Sequence, residues 1–138
     1  DSFKPSEETR IFNRANGVLV SNSPGKALAY SLFSLQDRGR LLIKPGEEIF
    51  EGMIVGIHKR NNDLTVNPMK AKQLTNVRAA GNDENIVLTP PLELDLEKSL
   101  EFISQDELVE VTPLGIRLRK RLLRETDRKT ASRNAKRN

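Results

Sequence analysis

Apolar residues fall in short runs with a period of two, each closed by glycine, proline or asparagine. That pattern predicts brief strands joined by turns. Gly17-Val18-Leu19-Val20-Ser21 is the first run, and Asn22-Ser23-Pro24-Gly25 closes it. From Lys26 to Leu35, Leu28, Tyr30 and Leu32 alternate with the small Ala27, Ala29 and Ser31, which predicts a second strand approached closely by another layer. The alternative there is a single helical turn over Phe33 to Asp37, halted by Gly39. Arg40 to Ile43 predicts a third strand, and Glu47 to His58 a fourth. Gly52 and Gly56 inside that fourth run predict a bulge or a barrel corner.

The period then disappears. Asn61 to Asn85 holds six asparagines, Pro68 and Gly81, with only Leu64, Val66, Met69, Leu74 and Val77 to anchor it. A pattern-free stretch of that length in a small domain is expected to be a functional loop or disordered. Ile86-Val87-Leu88 resumes a strand before Pro90-Pro91. Asp95 to Ile103 predicts a helix, with Asp95 as N-cap, Glu97 in the first turn, and Leu96, Leu100 and Ile103 as an apolar stripe widened by Phe102. Leu108 to Thr112 and Ile116 to Leu122 predict a closing pair of strands about Pro113-Leu114-Gly115. In the second of these, Ile116, Leu118 and Leu122 are expected to point inward and Arg117, Arg119 and Arg121 outward. The fold class so defined is α+β and β-rich: a small β-barrel-like domain or compact sandwich with one or two short helices, a long basic loop and a basic C-terminal tail. Residues 1–16 read as a lead-in, 17–123 as the domain, and 124–138 as a charged helix dissolving into a partly disordered tail.

Composition adds exclusions. A chain of 138 residues supports one modest core. No apolar run approaches the roughly 18 residues of a membrane span, and no signal-peptide pattern opens the chain. The absence of cysteine removes disulfides and thiolate metal sites and suits a cytoplasmic protein. A nucleotide-binding P-loop is not expected, because the only Gly-Lys pair, Gly25-Lys26, is followed by Ala27 and preceded by Val20 where the motif needs a hydroxyl and a glycine. One histidine, His58, does not make a metal site alone, and no nucleophile elbow is present. Met69-Lys70 lacks the tight acidic hairpin of a biotinyl or lipoyl carrier. The acid pairs Glu47-Glu48 and Asp106-Glu107 are expected as solvated turn residues.

Charge changes the picture more. The net charge is only +4, but it is segregated. Residues 57–82 carry five Lys/Arg against Asp63, and residues 115–138 carry ten against Glu125 and Asp127. Between them, residues 83–111 carry nine carboxylates against Lys98. Two basic segments flanking an acidic one predict a polyanion-facing side and a repelled side. Lysine and arginine neutralise phosphates, while asparagine reads base edges and 2′-hydroxyls in irregular RNA. The candidate RNA-binding residues are therefore His58, Lys59, Arg60, Asn67, Lys70, Lys72, Asn76 and Arg78 in the loop, with Arg117, Arg119 and Arg121 on the basic strand. No aromatic residue lies in the loop, which favours folded RNA read by shape over stacked single strands.

Several stretches together resemble the C-terminal domain of the TypA/BipA translational GTPases. They are Gly17 to Ser21, Gly25-Lys26-Ala27 with Ala29-Tyr30, Phe33 to Gly39, Phe50 to Gly56, Asn62 to Asn67, Leu74-Thr75-Asn76, Arg78-Ala79, Leu100 to Ile103, Asp106 to Pro113 and Ile116 to Arg121. The resemblance runs from about Asn16 to Arg133. It implies a parent protein whose separate GTPase domain binds GTP and Mg and hydrolyses GTP, with no cofactor in this chain. It also implies that Asp1-Ser2-Phe3 ends a preceding elongation-factor-G-like domain. The partners implied are the ribosome, through large-subunit rRNA and A-site tRNA, and the other domains of the same polypeptide, in large-subunit assembly and stress adaptation. In the family a Gly-Lys-Lys run precedes Leu-Thr-Asn; here Ala71-Lys72-Gln73 stands there, one glycine and one positive charge short. The competing reading is a regulatory domain that packs on its own GTPase through the acidic 83–111 segment and never touches RNA.

Overall fold

The computed structural model describes residues 16–70 and 87–137. Its elements are β1 (Val18–Ser21), β2 (Gly25–Lys26), α1 (Ala29–Leu35), β3 (Gly39–Leu41), β4 (Glu48–Ile49), β5 (Ile54–His58), β6 (Leu64–Val66), α2 (Leu96–Phe102), β7 (Glu107–Thr112), β8 (Gly115–Lys120) and α3 (Glu125–Arg137). Four strands form one mixed sheet in the order β3-β5-β1-β6, with β1 antiparallel to β5 and parallel to β6. β2 pairs with β4, and β7 with β8. The fold is thus α+β and β-rich, but the described strands leave open sheets where a barrel was expected.

The central strand explains the layering. β1 is buried on both faces, as a near-continuous apolar run should be. Leu19 joins Leu32, Leu41, Ile43, Val55 and Val66 in one core, beneath α1. Val18 and Val20 join Ile54, Ile57, Phe102 and Leu118 in a second, beneath α2 and the β7–β8 hairpin. The expected irregularity at the glycines is present as a register shift between Leu19 and Val20, which pair with Gly56 and Ile54. An extra residue in β5 lets Ile54 and Ile57, three apart, reach the same core. Gly56 is required there, because a Cβ would lie 2.9 Å from the Arg40 carbonyl oxygen and 2.9 Å from Leu19 Cδ1.

Three elements differ from expectation. Residues 29–35 form a helix instead of a strand. Leu28, Leu32 and Leu35 satisfy a helical period as well as Leu28, Tyr30 and Leu32 satisfy an alternating one, so tertiary contacts decide. Ser31 Oγ donates to the Asn67 carbonyl at 2.6 Å, and Leu28 N donates to that of Pro68 at 3.0 Å. Val87 and Leu88 are not in a strand; the Gln36 side chain holds this segment by donating to the Val87 carbonyl and accepting from Thr89 N. Residues 125–137, expected to begin as a short charged helix, are helical throughout as α3.

α2 lies where the sequence places it, with Asp95 Oδ1 accepting from Lys98 N at 2.8 Å. Its buried residues are Ser99 and Phe102, whereas Leu96 (44%) and Leu100 (57%) are exposed. The larger apolar surface of Phe102 sets the helix rotation in place of the leucine stripe. Replacing Asp95 with alanine removes the cap and is expected to cost about 1 kcal/mol. A thermal melt should then fall by about 3–5 °C.

Candidate nucleic-acid interface

The predicted basic loop is partly a strand. Leu64–Val66 pairs alongside β1, so the candidate residues between 58 and 70 divide between the two ends of β6. Three residues of strand separate these ends by roughly 10 Å. At the first end, Lys59 and Arg60 are exposed in the turn after β5. Gly17 N donates to the Arg60 carbonyl and Lys59 N to that of Arg38, which fixes the turn against the neighbouring strands. Arg38 is exposed as well and joins these two cations. Sequence reading missed Arg38, since only the pairing of Gly39 with His58 brings it beside Lys59.

His58 does not belong to this surface. It is 5% exposed, and its Nδ1 meets the Asn62 carbonyl oxygen. A carbonyl can only accept, so Nδ1 carries the proton and the ring braces the turn.

At the other end of β6, Lys70 is exposed and Asn67 turns the chain. Asn67 Oδ1 accepts from Met69 N at 2.9 Å, so its side chain already serves the turn. The Met69 side chain packs on Gly25, where a Cβ would come within 3.1 Å of it, next to the exposed Lys26. Lys72, Asn76 and Arg78 lie outside the described residues.

The basic strand is also subdivided. Arg119 pairs with Glu110 at 2.9 Å across the hairpin, and Arg121 Nε donates to the Gln105 carbonyl at 2.8 Å. Arg117 sits opposite Glu110 in the hairpin register and is half-buried. Arg121 remains exposed, while Leu122, expected inside, is 43% exposed.

The inward position after Leu118 is Lys120, only 1% exposed. Its ammonium reaches Glu107 at 2.7 Å, Asp106 at 2.8 Å and Asp63 at 2.5 Å. Asp63 Oδ1 in turn accepts from Val18 N at 3.0 Å, and Glu107 Oε1 from Ser104 N at 2.9 Å. One lysine thereby ties the hairpin to the turn before β6. Burial alone would lower the Lys120 pKa, but hydrogen bonds to Asp106, Asp63 and Glu107 outweigh it and raise it. The three carboxylates are spaced closely enough to suggest a cation site, and the lysine ammonium is the cation they share. Glu107 is therefore buried and structural, contrary to the expectation of a solvated acid pair at 106–107. The parity of Ile116, Leu118 and Lys120 was the available signal for it.

The result is a β-rich α+β domain whose described cations at both ends of β6 are exposed and whose hairpin acids are largely engaged. The chain belongs to the TypA/BipA C-terminal domain family, whose model matches residues 16–125. It is similar to the large ribosomal subunit assembly factor BipA of Salmonella typhimurium, at 55% identity over 136 residues, which cover 99% of this chain and 22% of that protein. The protein of the same name from Haemophilus influenzae is 59% identical over 133 residues, 96% of this chain and 21% of that one. The Escherichia coli K12 protein is 56% identical over 136 residues, 99% and 22% respectively. The chain thus spans about a fifth of the length of these relatives.

Proposed function

We propose that this domain docks a TypA/BipA-type translational GTPase onto ribosomal RNA during large-subunit assembly. The observation that carries the reading is the exposure of Arg38, Lys59 and Arg60 at one end of β6 and of Lys26 and Lys70 at the other, none with an acidic partner among the described residues. Five solvated cations, on turns and on β2, supply phosphate contacts without first breaking an internal ion pair. The names of the relatives point to the large subunit as the source of that phosphate. Lys72, Asn76 and Arg78, with Arg117, Arg119 and Arg121 of the hairpin strand, are the further RNA contacts of this reading. GTP, Mg and hydrolysis belong to the rest of the parent protein, and this chain supplies affinity and placement. A-site tRNA, a role in stress adaptation and a cytoplasmic location are consistent parts of the same reading.

The second reading, a protein-binding domain, is favoured by the exposed Leu96 and Leu100 of α2 beside Glu97 and Glu101. Photo-crosslinkers placed at positions 59 and 70 separate the two. Crosslinks to large-subunit rRNA are expected from both positions; crosslinks only to protein would favour the second reading.

A further inference from the structure

α3 is a 13-residue helix whose composition sets it apart from the other elements. Its two acids, Glu125 and Asp127, lie in the first turn, where the positive end of the helix dipole favours them. Every charge beyond them is positive: Arg128, Lys129, Arg133, Lys136 and Arg137. Residues 126, 127 and 129–135 are all exposed, and among the described residues no other element packs extensively along the helix. Its only apolar residues are Ala131 and Ala135.

The root of the helix, by contrast, is fixed. Arg128 Nη1 donates to the Leu122 and Leu123 carbonyls at 2.9 and 2.8 Å. Leu123 crosses Gly52, whose φ of +90° and lack of a Cβ admit it; a Cβ would meet Leu123 Cα at 2.7 Å. Lys120 N donates to the Gly52 carbonyl, so this root joins the Lys120 ion cluster. The helix is aimed by the core, while most of its length stays exposed.

A helix of this length with no buried stripe is marginal in isolation. It lacks the apolar face needed to enter a membrane interface or a hydrophobic protein groove. Lys129 and Arg133, at i and i+4, share one face over a rod of roughly 20 Å. We infer that α3 is a second RNA-binding element, laying Lys129 and Arg133 along the phosphate backbone of structured RNA. This rests on the ribosomal RNA reading and adds to it a contact separate from the two ends of β6.

The test is sedimentation binding of the full protein to purified large ribosomal subunits between 50 and 200 mM salt. Lys129→Gln with Arg133→Gln keeps good helix formers at exposed positions. Two lost phosphate contacts should flatten the log–log salt slope by about 1.4–1.8, so that the wild-type advantage shrinks roughly tenfold across that range. The charge-keeping pair Lys129→Arg with Arg133→Lys should retain the wild-type slope. An unchanged slope in the glutamine variant, while Lys59→Ala with Arg60→Ala flattens it, overturns the helix inference and leaves the proposed function standing. Wild-type protein that fails to bind subunits overturns both. Equal competition by polyglutamate or by anionic phosphatidylserine vesicles also overturns the inference, since either makes the helix a general anion binder.

Discussion

Replacing Lys120 with methionine is expected to destabilise the domain by about 3–5 kcal/mol, because it removes the ammonium that neutralises the buried Glu107 carboxylate. Glu107 and Lys120 are both 1% exposed, and the ammonium lies 2.7 Å from the Glu107 carboxylate. Domains of this kind retain about 5–15 kcal/mol in total, so the loss is a large share. The denaturation midpoint should fall with an unchanged m-value. Adding Glu107→Leu to Lys120→Met should recover most of the loss, since an apolar pair can replace a buried ion pair. No recovery in the double variant would mean that volume, not charge, is what the site requires.

The pH dependence has a fixed sign. The folded-state pKa of Lys120 is raised, so its contribution is fully present below the unfolded value of about 10.4 and lost as pH rises through the folded one. The stability gap between wild type and Lys120→Met should therefore stay level from neutral pH to about pH 10 and close above it. A gap that closes below pH 9 would contradict the raised pKa.

The second large effect is on binding. Removing Lys59, Arg60 and Lys70 together, each to alanine, should reduce the log–log salt slope of large-subunit binding by about two to three. These side chains are exposed and make no described ion pair, so the melting temperature should barely move. The same change at Lys72 and Arg78 should act in the same direction.

Local signals carried α2 and the closing hairpin: Asp95 caps the helix that it predicts, and the alternation at 116–120 is that of β8. They failed where two periods fit one segment, as at residues 28–35, and where one burial pattern outweighed another, as with Phe102 over Leu96 and Leu100. The site was legible as charge but not as placement. Arg60 and Lys70 look like parts of one loop until β6 separates them. Lys120 was hidden for the same reason in reverse, because Asp63 lies 57 positions away in sequence and only the fold brings it within 2.5 Å.

The central claim is that this domain holds ribosomal RNA through exposed cations, and a salt titration of wild-type binding to purified large subunits tests it most directly. The account predicts a linear fall of log affinity with log salt, steep enough for at least three phosphate contacts, that is, a slope of about −2 or steeper. Binding that is indifferent to salt, or no binding at all, would contradict it.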